Sequence, residues 1–234
     1  FLKKDPRINS RLTGLAGHSE GGIIAPIAAS SNREIAFIVS LAGPGVSGEE
    51  IIIRQQEDIG SLSGVTSDQL KEAIETNRKI FSILKKEKDD NKAEAKITEA
   101  YREILKDQNL TPEESEKALM NFKSGFPVSS YRWLRAFLKT DPSVYWKKVR
   151  SPVLALNGEK DLQVAADINL KAIEESLRKG GNRNYKTIKM EGLNHLFQKC
   201  TTGLPSEYGK IEETFSPEVL EIIAEWIRSL KESP

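Results

Sequence analysis

A serine hydroxyl becomes a nucleophile when a histidine takes its proton and a carboxylate holds that histidine in one tautomer. The chain has 234 residues and only two histidines, so the search for such a set is short. Ser19 stands in Gly17-His18-Ser19-Glu20-Gly21, a G-x-S-x-G pentapeptide between an apolar run and a small-residue helical pattern. That layout reads as a nucleophile elbow, in which strand, tight turn and helix hold the hydroxyl above a sheet. Gly17 and Gly21 are expected to be glycine because side chains there would collide with the adjoining strand and helix. The backbone N–H of Glu20, at the helix N-terminus, is the expected oxyanion donor. The plainer alternative is a Gly-rich turn in which Ser19 only caps the helix.

His195 is the expected base. It follows the strand-like run 185–190, on a loop at the edge of a parallel sheet where catalytic groups gather. His18, beside the nucleophile, should leave the turn in another direction, to pack locally or to border the substrate. Pro152-Val153-Leu154-Ala155-Leu156-Asn157-Gly158 reads as a buried parallel strand, and Asp161 lies on the loop just beyond it. Glu159 and Asp167 compete for the acid role. Glu159 is too close to the strand end, and Asp167 is expected to open a helix as a capping carboxylate.

Four strands are expected to carry this set, at about 12–17, 35–42, 152–157 and 185–190. From about 49 to 148 the signal is helical. Leu70, Ala73, Ile74, Asn77, Ile80, Phe81 and Leu84 fall at helical spacing over 68–88, after the capping residues Thr66-Ser67-Asp68. Further helices are expected over 92–107, from Thr111-Pro112-Glu113-Glu114, and over 131–138. Phe122, Phe126, Tyr131, Trp133 and Phe137 form an aromatic set that is either packing or the wall of an apolar pocket. Tyr131 and Trp133 are its candidate substrate-binding members, with His18. Ser216-Pro217 should open a last helix with Ser216 as its N-cap. The expected division is a core of 1–48 with 149–234 and a helical insertion of 49–148.

The chain resembles bacterial α/β-hydrolases of the serine esterase and serine-aminopeptidase-like group. The resemblance rests on Gly17-His18-Ser19-Glu20-Gly21-Gly22, Ala36 to Gly45, Pro152 to Val164, Gly192-Leu193-Asn194-His195-Leu196-Phe197-Gln198 and Pro205 to Gly209. The order Ser19, Asp161, His195 is the order of that fold. The resemblance implies an α/β fold, the C-terminal half of the usual parallel sheet, with a helical cap inserted after the second of the four strands. It implies hydrolysis of small carboxylic esters through an acyl-enzyme. The chain departs from the family at its front, where only about a dozen residues precede the elbow strand. On this reading the second oxyanion donor belongs to the missing strands, and losing one such donor costs on the order of 3 kcal/mol of transition-state stabilisation. The isolated chain is therefore expected to be weakly active, with the open edge of its first strand available to a missing N-terminal half or to a second copy. A peptidase or amidase of the same fold, or a non-catalytic fragment that associates, are the competing readings.

Composition narrows the partners. The formal net charge is +1 and the charge runs around Lys85 to Lys96 mix signs, so there is no basic stripe for nucleic acid. No apolar run reaches the length of a membrane-spanning helix. One cysteine, Cys200, excludes an intrachain disulfide, and two histidines with one cysteine make a poor metal set, so no cofactor is expected. Any targeting signal would lie upstream of Phe1, which leaves localisation unread.

Overall fold

A computed structural model describes residues 5–230. The chain divides into two units: residues up to Leu62 together with those from Asp141 onward, and Ser63–Thr140 between them in sequence.

The first unit is built on a four-stranded parallel sheet in the order β1-β2-β3-β4, with β1 Leu15–His18, β2 Ile38–Leu41, β3 Val153–Gly158 and β4 Tyr185–Met190. Leu15 pairs with Ile38, Ile38 with Val153 and Val153 with Tyr185, so the strands start level and finish at one edge. The middle strands are buried on both faces, as continuous apolar runs such as Val153-Leu154-Ala155-Leu156 require. On one face Ile38, Val153 and Ala155 pack on Ala25 and Ala29 of α1 (Gly21–Ser31), Trp146 of α7 (Pro142–Trp146) and Ile173 and Leu177 of α8 (Ala166–Lys179). On the other, Val39, Leu154 and Leu156 pack on Val219, Ile222 and Trp226 of α9 (Pro217–Ser229). Among the described residues β1 closes one edge with only β2 beside it, and Ala16 and His18 are exposed there.

The second unit holds α3 (Ser67–Lys86), α4 (Asp90–Lys106), α5 (Pro112–Gly125) and α6 (Tyr131–Lys139). Their ends follow from local chemistry. Thr66 with Gln69 and Thr111 with Glu114 each form a reciprocal capping box, and the Asp89 carboxylate accepts from the Lys92 N–H. Arg135 of α6 donates to the Leu84 carbonyl at 2.9 Å and to the Asp90 carboxylate at 2.7 Å, so one side chain closes the end of α3 and the start of α4. Tyr101 stacks on Phe122 with ring centroids 4.1 Å apart.

This unit is shorter than the expected 49–148. The helices at either side, α2 (Gly48–Leu62) and α7, belong with the sheet, because α7 carries Pro142 and the fully buried Trp146 into the core beneath α1. Ser216 stands at the N-cap of α9 but makes no capping bond. Its hydroxyl is buried with no hydrogen-bond partner, while the residue's own N–H donates to the Phe197 carbonyl.

Candidate functional site

β1 ends in a turn that isolates one residue. Ser19 has φ 54°, in the left-handed region that costs a side-chain-bearing residue of order 1–3 kcal/mol. Its N–H extends the sheet ladder to the Leu41 carbonyl at 2.9 Å, and its own carbonyl accepts from the Gly22 N–H at 2.8 Å as α1 begins. A Cβ on Gly17 would stand 2.1 Å from the Gly21 carbonyl oxygen, so that position admits no side chain. The matching expectation for Gly21 is corrected: a Cβ there meets nothing within 4 Å. The crowded glycine on the helix side is Gly22, whose Cβ would lie 2.4 Å from the Gly43 Cα. Glu20 follows in helical conformation as the N-cap of α1, which puts it at the positive end of that helix.

Asp161 sits on the turn after β3 with a fully buried side chain. Its Oδ1 accepts from the N–H groups of Gln163 and Val164, each at 2.8 Å. Its Oδ2 accepts from Asn157 Nδ2 at 3.3 Å and lies 2.8 Å from His195 Nδ1. The carboxylate is thus held by three donors besides the imidazole that it orients. The competitors go elsewhere. Glu159 accepts from the Gly192 N–H at 3.0 Å, and Asp167, in the first turn of α8, is exposed and pairs with Arg54 at 3.4 Å.

His195 is held on a tight loop. Gly192 turns it with φ 69°, and the Asn194 carboxamide accepts from the Leu196 N–H at 2.9 Å and the Gln198 N–H at 3.0 Å while donating to Gln198 Oε1. Phe197 is left-handed at φ 58° and fully buried. Lys160 donates its N–H to the Leu193 carbonyl at 2.9 Å, which ties this loop to the Asp161 turn. Sequence reasoning did not single out Asn194, although Asn two residues before a turning N–H is a known turn signal. It also missed Asn157, and Asn169, whose buried Oδ1 accepts from the Gly45 N–H at 2.7 Å and so fixes the loop after β2.

Ser19, Asp161 and His195 therefore all stand at the C-terminal edge of the sheet, and Asp161 and His195 are directly bonded. No hydrogen bond joins the Ser19 hydroxyl to His195 among the described residues; such bonds often tighten only when substrate is present. His18 bridges the gap in the chain: its Nε2 lies 2.8 Å from the His195 carbonyl oxygen, and the two rings are 4.7 Å apart. Burial of the His18 ring against its neighbours lowers its pKa below 6.5, although part of the residue faces solvent. Tyr131 and Trp133 belong to the helical unit. Tyr131 is 2% exposed and packs on Phe126, whereas Trp133 is 51% exposed and stacks on Phe137. Cys200 lies against the Gly192 carbonyl, and burial pushes its thiol up, which makes it a poor nucleophile. Among the described residues no His, Cys, Asp and Glu cluster could hold a metal ion, and no helix is long and apolar enough to cross a membrane.

The family described as BAAT / acyl-CoA thioester hydrolase C terminal matches residues 1–125, more than half of the chain, and the chain belongs to it. No curated protein matches. Among solved structures, the acylaminoacyl peptidase of Pyrococcus horikoshii is similar with a TM-score of 0.42 and 16% identity, over 83% of this chain and 22% of that one. The esterase RhEst1 of Rhodococcus sp. ECU1013 gives 0.41 and 17% over 92% of this chain and 65% of its own. An α/β fold family hydrolase of Bacillus anthracis str. Sterne gives 0.41 and 17%, over 94% and 66%. The chain thus spans about a fifth of the peptidase and about two thirds of the other two. Its fold is that of an α/β hydrolase, with the four strands of the C-terminal half of the sheet.

Proposed function

We propose that this member of the acyl-CoA thioester hydrolase family cleaves acyl thioesters and small carboxylic esters through an acyl-enzyme on Ser19. The observation that carries the reading is the 2.8 Å bond between buried Asp161 and His195, at the sheet edge where the strained Ser19 elbow also ends. In the proposed reaction His195 takes the Ser19 proton through Nε2 as Oγ bonds to the acyl carbon. Asp161 keeps the remaining proton on Nδ1 and stabilises the imidazolium. The carbonyl oxygen becomes an oxyanion, with the Glu20 N–H at the start of α1 as its donor. When the intermediate collapses, the acyl carbon–sulfur or carbon–oxygen bond breaks and the imidazolium returns its proton to the leaving group. Water then repeats the sequence, with His195 as base, and releases the acid.

The family description supports the thioester part of this reading. Thiols ionise near pH 8.5, so a thiolate leaves with little help from a general acid, whereas an amine must be protonated as it departs. We assign the inserted helical unit Ser63–Thr140 the role of a cap that selects the acyl chain, with the exposed indole of Trp133 as its candidate contact.

The test is hydrolysis of acyl-CoA thioesters and p-nitrophenyl esters, acetyl to decanoyl, by the chain and by its Ser19→Ala variant. Turnover that falls on the order of 10⁴-fold or more in the variant supports the reading. Equal turnover by the two proteins, or selective cleavage of aminoacyl amides, defeats it.

A further inference from the structure

We propose that His18 is a positioning residue for His195, not a substrate contact: it locks the base's loop to the elbow that carries the nucleophile. The inference rests on the Ser19–His195–Asp161 reading above. A carbonyl oxygen only accepts, so the 2.8 Å contact requires His18 to donate from Nε2 to the His195 backbone. The same imidazole lies beside the His195 ring, 4.7 Å between centroids, and meets the Phe197 ring edge-on at 6.3 Å.

The need for such a contact follows from the loop. Asp161 holds His195 by one nitrogen, and a ring held at one nitrogen can still swing about that bond. Its backbone lies between Gly192 and Phe197, both with positive φ, in a short reversal that is strained at Phe197. Asn194 closes that reversal on itself but does not join it to β1. His18 does. It is the last residue of β1 and the chain neighbour of Ser19, so one side chain sets the distance between the nucleophile's turn and the base's backbone. Displacement of about 1 Å at such a site can cost on the order of 100-fold in rate. The charged or titratable groups facing His18 are His195 and Asp161, and its depressed pKa keeps it neutral beside the imidazolium that His195 becomes.

The test compares His18→Gln, which keeps an N–H donor, with His18→Phe, which keeps a ring and no donor, and with His18→Ala. Two quantities are read on the full chain: kcat and KM for an acyl thioester, and the downfield proton resonance of the His195 Nδ1–H···Asp161 bond. We expect kcat to fall about 10–100-fold in the Phe and Ala variants with KM nearly unchanged, and the Gln variant to recover most of it. The resonance should persist in the parent and Gln proteins and be lost to exchange with water in the other two. A rise in KM alone would make His18 a substrate contact and overturn the proposal, as would a resonance unmoved in all three variants. If Ala fails to fold, the Phe and Gln pair still decides. The resonance reads the positioning without turnover, so an inactive or Ser19-independent protein would sink the hydrolase reading and leave this result legible.

Discussion

The two units of this chain bury different kinds of surface. Among the described residues the helical unit buries only the hydroxyl-bearing side chains of Thr98 and Tyr131, while the sheet unit buries Asn157, Asp161, Asn169, Asn194, His195 and Gln198 among others. In the helical unit, polar groups finish helices at the surface and the interior is apolar. In the sheet unit, carboxamides and a carboxylate run inside, and most of them bond backbone at the strand ends. A buried polar group is costly unless satisfied, so such networks mark the part of a fold where backbone position matters most. Here that part is the sheet edge bearing Ser19, Asp161 and His195.

The contrast breaks first at Asp161. Asp161→Asn should lower kcat by about 10⁴-fold, since an amide no longer fixes the His195 tautomer, while the protein stays folded. A loss below tenfold in steady-state kinetics would mean that the buried network serves stability alone. Next, Gly17→Ala should destabilise by about 1–3 kcal/mol, the cost of forcing a Cβ against the Gly21 carbonyl, whereas Gly21→Ala should be neutral or mildly stabilising. Paired urea titrations with similar midpoints would sink that distinction. Asn169→Ala leaves the buried Gly45 N–H without its partner and should cost about 2 kcal/mol in the same assay. Thr111→Ala, in the helical unit, removes one surface cap and should cost about 1 kcal/mol.

The smallest effects are read by pH at one residue of each unit. The His18 pKa is depressed mainly by burial, so the unfolded chain binds that proton more readily. Stability from this site is fully present above pH 6.5 and declines as pH falls below it. Tyr131 has its pKa pushed up to about 12 by burial and by nearby Glu94 and Asp90. Its contribution is present below pH 10 and is lost as pH rises toward 12. Acid should therefore weaken the contribution of His18 and alkali that of Tyr131. Thermal melts of His18→Gln and Tyr131→Phe across both ranges check this; each variant should flatten one limb only.

The helical unit was the more legible in sequence because its signals are local. Thr66 with Gln69 and Thr111 with Glu114 announce helix starts within four residues, and the apolar spacing from Leu70 to Leu84 carries the first helix between them. In the sheet unit the strands were legible as apolar runs and Ser19 as part of a pentapeptide. The choice of Asp161 over Glu159 and Asp167 also rested on position along the chain. What stayed hidden acts across long separations. Asn169 holds a loop more than a hundred residues away, and Gly22 is crowded by Gly43, which no local pattern can announce. The division near Leu62 and Asp141 was hidden for the same reason: α2 and α7 are helices like their neighbours, and only packing assigns them to the sheet.

The strand order has a kinetic consequence. β1 and β2 are nearly adjacent in sequence, but β2 cannot pair with β3 until the whole of Ser63–Thr140 has been synthesised. Closing so long a loop is slow while it is flexible, and its entropy cost shrinks when the intervening segment is already folded. The helical unit is continuous in sequence and dominated by local contacts, so it can form during synthesis. By then the elbow segment has long been made, yet Asp161 and His195 have still to be added. The segments on either side of the insert thus meet around a part that can already be folded, and the order of emergence from the ribosome leaves Ser19 without Asp161 and His195 until the insert has been made.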